Sequence, residues 1–206
     1  MVLNSIKFFP VSNGADFCDM LLAIAASPPN APKPTKLEQF VATHPAVPRA
    51  LATVQTPDSF ADEEYYGINA FVFVNNKGER RAVRYIMAPE KLEHLDPAEA
   101  SMKAPDFLID ELAARLVHAP VNFRLKVQLA SPGDTTKDPS QPWPDHNKVA
   151  ELGVLTIDKP VADSLDAQKK LLFLPGQLTE GIETSDDPMV EIRNGAYAVS
   201  FSRRAP

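Results

Sequence analysis

Apolar residues recur along this chain with two periods. VNFRLKVQLA (121–130) alternates strictly, apolar at 121, 123, 125, 127 and 129, which predicts a strand with one buried face. Within 65–90, INAFVFV and RAVRYIMA are β-rich runs on either side of NNKGE, a turn with glycine where positive φ is needed, and this predicts a hairpin. ELGVLTIDK (151–159) predicts a fourth strand, and LNSIKFFPV (3–11) a short strand or extended segment stopped by Pro10. ADFCDMLLAIAAS (15–27) carries a helical stripe at 17, 18, 21, 22, 24 and 25, and PDFLIDELAARLVHAP (105–120) is an amphipathic helix. KLEQFVATHPAVPRALATV (36–54) reads as two short helices broken at Pro45 and Pro48. The closing segment reads as helix from about 187 to 202, against the propensity of Gly195 and two β-branched residues.

Four strands with helices and long loops make an α+β fold with an antiparallel meander, one domain over 1–206. Four strands cannot close a barrel, so a barrel parent would be represented here by about half. The 20 prolines outnumber the 8 glycines and cluster in SPPNAPKP and DPSQPWP, which predicts long ordered loops. The loop over 131–148 is expected to act as a packing or subunit-contact arm. A formal net charge of −6 argues against a nucleic-acid partner, and no apolar run is long enough to span a membrane. The single Cys18 excludes an internal disulfide and any multi-cysteine metal site. The opening MVLNSIKFFPVSNGADF has no signal-peptide pattern, and the compartment stays open between cytoplasm and periplasm.

The chemistry concentrates in EIRNGAYAVSFSRR (191–204), where Arg193 precedes Tyr197 by four residues. On any helix such residues are neighbours, so alone the pair is ordinary surface decoration. In context it has a second reading. FADEEYYGINAFVFVNNKGERRAVRY resembles the aromatic-Gly-x-x-x-Phe strand, Val-Asn-x-x-Gly turn and aromatic-ended return strand of the catalase heme domain. DTTKDPSQPWPDHN is similar to the family's Asp-x-Thr…Trp-Pro segment, and ELGVLTID follows it as a barrel strand does there. LLFLPGQLTEGIETSDDPM resembles Phe-x-Pro…Gly-Ile-Glu-x-Ser-x-Asp-x-Met, and RNGAY the Arg-x-x-x-Tyr heme-ligand motif. LNSIKFF resembles the family's Asn-Thr-Pro-x-Phe-Phe segment. The pieces run in family order over nearly the whole chain. The short end after the tyrosine looks like the small catalase-related peroxidases.

The resemblance implies an antiparallel β-barrel of the catalase type with flanking helices, here incomplete, binding heme b. It implies a peroxidase or catalase-like activity on hydrogen peroxide or organic peroxides, with an electron donor it does not identify. Tyr197 matches the proximal iron ligand and Arg193 its partner. A free phenol ionises at about pH 10, and a guanidinium alongside favours the phenolate that ferric iron takes. Arg204 matches a propionate-pairing position, and Phe173 and Met189 match positions that line the heme. Asn4 matches the asparagine that donates to peroxide, and Phe9 and Phe17 match aromatics that wall that face.

Two positions depart from the pattern. The family's distal histidine lies upstream of the asparagine, whereas His44, His94, His118 and His146 all lie downstream of Asn4. The sequence therefore reads as the C-terminal portion of a catalase-related peroxidase. General acid–base help of the kind that histidine gives is worth about 10²–10⁴-fold. Phe201 stands where catalases usually carry a polar residue that touches the heme. The competing expectation is a non-catalytic remnant, a half-barrel that binds heme weakly or not at all. Its exposed strand faces would pair with a partner or make a homo-oligomer. Other hydroperoxide chemistry on the same scaffold is a further alternative.

Overall fold

A computed structural model describes residues 2–204. The chain runs through helices α1 (Gly14–Ala25), α2 (Lys36–Thr43) and α3 (Ala46–Leu51), a 3-10 turn (Phe60–Asp62), and strands β1 (Tyr65–Tyr66), β2 (Phe71–Val74) and β3 (Arg80–Pro89). Helices α4 (Pro97–Ala100) and α5 (Phe107–His118) follow, then β4 (Val121–Leu129), β5 (Val149–Ile157), α6 (Ser164–Lys169), β6 (Ile182–Thr184) and α7 (Met189–Arg204). The sheet has six strands in the order β5-β4-β3-β2-β6, all antiparallel, with β1 also pairing β3. Four strands were expected. β1 and β6 are two and three residues long, too short to show an alternating pattern. The sheet is open, and β5 is an edge with residues of both faces exposed, Val154 and Leu152 among them.

Segment 3–11 is not a strand. Asn4 alone pairs, in a bridge with Tyr66 (Asn4 N to Tyr66 O 2.9 Å, Tyr66 N to Asn4 O 2.7 Å). Beyond it the chain turns its apolar side chains into the helices. Val11, Met20 and Val47 form a core with Phe9, Phe17, Phe40 and Val41 packed on it. The starts of α1 and α2 follow the capping chemistry, whereas α3 and α5 have no side-chain cap. Asn13 Oδ1 accepts from Asp16 N (2.9 Å), and Thr35 and Glu38 make a reciprocal capping box.

The hairpin forms about Asn75, whose Oδ1 accepts from Lys77 N (2.9 Å) and Glu79 N (3.0 Å), with Gly78 at φ 77°. Its first strand is broken. Phe71 pairs Val83 and Tyr66 pairs Ile86, so residues 67–70 lie opposite only Arg84 and Tyr85. This excursion is buried throughout and carries Asn69 out of the ladder. On β4 the alternation holds. Val121 and Phe123 pack with Ala61 and Leu116 under α5, and Phe123 is 2% exposed.

Residues 131–148 form an ordered arm. Asp134 Oδ2 accepts from Ser131 N (2.7 Å) and Asn147 Nδ2 (2.6 Å), and Trp143 Nε1 donates to Thr135 O (2.7 Å). Arg84 on β3 donates to the arm at Gln141 O (2.8 Å) and Asp138 O (3.3 Å), beneath the Trp143 indole at 4.6 Å. The arm also accepts Phe9 N at Pro139 O (2.8 Å), and Thr136 O accepts from Ser185 Oγ (2.9 Å). It thus ties the N-terminal segment, the sheet and the approach to α7 together.

Helix α7 starts two residues later than expected and runs two further. Buried Asp187 accepts Met189 N (2.9 Å) at its first turn. Burial pushes the Asp187 carboxyl above its usual 3.8, although bonds from Asn69 and Met189 and the charge of Arg84 oppose the shift.

Two outcomes follow from this packing. Phe123→Ala is expected to cost about 3–5 kcal/mol, measured by denaturant unfolding; a loss below about 1 kcal/mol would place the ring outside the core. A carboxyl with a raised folded pKa binds more protons in the folded state. Its stabilisation is present below about pH 3.8 and is lost as pH rises through the folded value. Wild type should therefore lose stability relative to Asp187→Asn as pH is raised from about 3 to about 7, and parallel profiles would refute the assignment.

Candidate functional site

Helix α7 and the 67–70 excursion meet at Arg193. Its Nε (3.1 Å) and Nη2 (2.9 Å) both donate to Tyr197 Oη, one helical turn on. Nη1 donates to Asn69 Oδ1. Asn69 Nδ2 in turn donates to Asp187 Oδ2 (2.6 Å), whose other oxygen caps α7. Asn69 is 3% exposed and held from both ends, so its amide orientation is fixed by the acceptor behind it. Among the described residues no carboxylate pairs directly with Arg193. The guanidinium is oriented by neutral atoms, and its charge falls on the phenol oxygen.

Tyr197 lines a cavity of about 220 Å³ with Phe173, Arg204, Ser200, Leu172 and Val2. Arg204 Nη2 donates to Leu171 O, which holds the 171–173 stretch against the end of α7. The Arg204 guanidinium also lies 5.7 Å from the centre of the Phe201 ring. A second cavity of about 310 Å³ shares Val2 and is lined by Arg193, Asn69, Phe71, Tyr85 and Leu125. Its far wall is the loop of residues 174–179, drawn in by Gly176 N donating to Asn194 Oδ1 (3.0 Å). A Cβ on Gly176 would meet the amide end of the Asn194 side chain, so a larger residue would have to displace the group that draws the loop in.

The residues singled out from sequence are therefore divided. Tyr197, Phe173 and Arg204 share one cavity, and Arg193 joins it to the next. Asn4 lies two residues beyond Val2 but does not line either cavity. Phe9 and Phe17, expected on the peroxide face with Asn4, lie with ring centres 5.0 Å apart on the core of α1–α3 and line neither cavity. Met189 is buried at the start of α7. None of the four histidines lines these cavities; His44 stacks on Phe40 and His94 sits on Glu63. Asn69 was not anticipated. The signal available was a polar residue two after a glycine, inside an otherwise apolar strand run.

A phenol oxygen under two N–H donors, an apolar wall and a cation at the end of the cavity suit a flat apolar ligand with a metal centre and acidic arms. The family model described as Catalase matches residues 1–205. The chain is 37% identical over 193 residues to a catalase-related peroxidase of Mycolicibacterium paratuberculosis, covering 91% of this chain and 60% of that protein. It is 31% identical over 209 residues to a catalase-related peroxidase of Synechococcus elongatus, covering 99% of this chain and 62% of that one. A fungal catalase structure matches at a TM-score of 0.86 and 17% identity, over 98% of this chain and 44% of its own. Catalase A from Saccharomyces cerevisiae matches at 0.84 and 16% identity, over 98% and 46%. The chain spans about 60% of the length of these two peroxidases and less of the longer catalases it matches. The open antiparallel sheet, the capped α7 and the ordered segments between them are those of one known fold, and the chain belongs to the catalase family.

Proposed function

We propose that this chain is the heme-binding portion of a peroxidase that reduces hydrogen peroxide or organic peroxides, with Tyr197 as the proximal iron ligand. The observation that carries the reading is the double hydrogen bond from Arg193 onto Tyr197 Oη at a cavity wall. Two N–H donors converging on one oxygen hold negative charge there, and tyrosinate is a hard anionic ligand suited to ferric iron. Arg is the fitting residue because it keeps its charge when partly buried.

When bound, heme supplies the redox-active iron at which a peroxide O–O bond is cleaved. Peroxide takes up two electrons and two protons, giving two waters, or water and an alcohol from an organic peroxide. The electrons come from a separate donor. The chain's own residues position and shield. Arg193 holds charge at Tyr197 Oη and is itself held by Asn69 and Asp187. Phe173 would give the bound group an apolar wall and Arg204 would pair an acidic arm of it. Asn4, fixed through its backbone to Tyr66, donates its amide to peroxide. Phe9 and Phe17 set where the N-terminal segment lies by anchoring it on the helical core, and Met189 seats the first turn of α7.

Hemin titration of the full chain tests the reading. Wild type should show saturable binding with a high-spin tyrosinate-type ferric spectrum that Tyr197→Phe loses. A spectrum indifferent to that substitution, or no saturation, would remove Tyr197 as ligand. Asn69→Ala should keep the spectrum but weaken hemin binding by about 10–100-fold, because the arginine loses its support. Unchanged affinity would show that α7 orients Arg193 unaided.

A further inference from the structure

The cavity of about 310 Å³ beside Arg193 has apolar walls, Phe71 from β2, Leu125 from β4, and Leu174 and Leu178 from the loop of residues 174–179. Its size is at the lower end of pockets that take small organic molecules. Among the described residues no carboxylate lines it, and Arg193 is its one charged side chain. Three of the five Arg193 N–H donors are spent on Tyr197 Oη and Asn69 Oδ1. An anion drawn to the guanidinium would compete with Tyr197 for it, and a cation would be repelled. The cavity therefore suits an uncharged molecule.

Tyr85 narrows the class further. Phe71 pairs Val83 and Leu125 pairs Met87, so Tyr85, midway between Val83 and Met87 on β3, turns its side chain to the same face of the sheet. The Phe71 and Tyr85 rings lie 5.8 Å apart at 59°, an angled pair against which a third ring packs edge to face. The hydroxyls of Tyr65, Tyr66 and Tyr197 are all hydrogen-bonded. The Tyr85 hydroxyl makes no hydrogen bond among the described residues, and burial alone holds it above the ordinary 10. A half-buried hydroxyl on an apolar wall calls for a polar partner. A phenol supplies both the flat ring and the hydroxyl. The cavity also adjoins the one that Tyr197 lines. Val2 lines both, and Arg193 lines one and bonds Tyr197 of the other.

We propose that this cavity binds a small uncharged phenol, its ring against Phe71 and Leu125 and its hydroxyl on that of Tyr85, and that the phenol is the reducing substrate. The binding needs no heme; the reducing role rests on the peroxidase activity proposed for the chain. Two phenols each give up one electron and one proton and become phenoxyl radicals. The O–O bond of hydrogen peroxide breaks, takes up those two electrons and two protons, and leaves as two waters.

Fluorine NMR of the full chain tests the site with three matched probes, para-fluorophenol, fluorobenzene and para-fluorobenzoate. Para-fluorophenol should bind saturably. Tyr85→Phe should weaken it about three- to tenfold, the loss of one hydrogen bond, and leave fluorobenzene unchanged. Leu178→Trp, which fills the cavity from its loop wall, should abolish binding of both with circular dichroism unaltered; if that variant misfolds, Tyr85→Phe decides. No saturation by para-fluorophenol, or saturation by para-fluorobenzoate alone, would overturn the site. Equal para-fluorophenol affinity in Tyr85→Phe would overturn the phenol assignment. Hemin is then added to wild type and to Leu178→Trp. Both should give the tyrosinate-type spectrum, and only wild type should oxidise phenol when peroxide is supplied. Loss of hemin binding in Leu178→Trp would make the cavity part of the heme site and overturn it as a separate one. Phenol binding without a tyrosinate spectrum would sink the heme reading and leave the phenol site standing; the spectrum without phenol binding would do the reverse.

Discussion

The arrangement at Tyr197 depends on keeping a carboxylate one amide away from Arg193. Had Asp187 paired with the guanidinium directly, the ion pair would have spent the positive field before it reached the phenol. Asn69 passes on the orientation without the charge. Its Nδ2 is committed to Asp187, its Oδ1 must then face Arg193, and Arg193 has Nε and Nη2 left for Tyr197. The same Asp187 caps α7, so the helix bearing the tyrosine and the residue that steers its partner are fixed by one carboxylate. Much of the fold serves that junction. The two-residue surplus in the first hairpin strand delivers Asn69, and the 131–148 arm holds the approach to Asp187 through Thr136 and Ser185.

What was legible in the sequence was local. Strict alternation on β4 and the Asn75–Gly78 turn each encode their structure within a few residues and formed where expected; α1 formed as a helix too, but it buries Met20 and Ala23 while Cys18, Leu21, Leu22 and Ile24 of its expected stripe are exposed. The Arg193–Tyr197 pair was legible for the same reason, since four residues on a helix make neighbours whatever lies around them. Gly195 did not break α7, because the capping at Asp187 and the seating of the buried Met189 and Val190 outweigh a propensity loss of about 1 kcal/mol.

What was not legible depended on distant partners. INAFVFV reads as one uninterrupted strand, and only the pairing with β3 shows that residues 67–70 leave it. Residues 3–11 carry strand-like composition, but their apolar side chains found a better surface on three helices than on a sheet edge. Phe9 and Phe17 went with them and meet each other on that core. β6 exists because β2 offers an edge to three residues that have no pattern of their own.

Arg193 and Arg84 are solved by one physical device. Each guanidinium is aimed by neutral acceptors, an amide and a phenol in one case, two backbone carbonyls in the other. Hydrogen bonds to neutral oxygens satisfy direction but leave the net charge standing, whereas a carboxylate would have cancelled it. A fold that buries a cation in this way retains an attraction for an anion that a salt-bridged interior would have lost. At Arg193 the chain supplies the acceptor itself, the Tyr197 hydroxyl one turn along α7. At Arg84 the nearest carboxylates, Asp187, Asp134 and Asp138, act from beyond ion-pairing distance, and Nε is buried without a partner among the described residues.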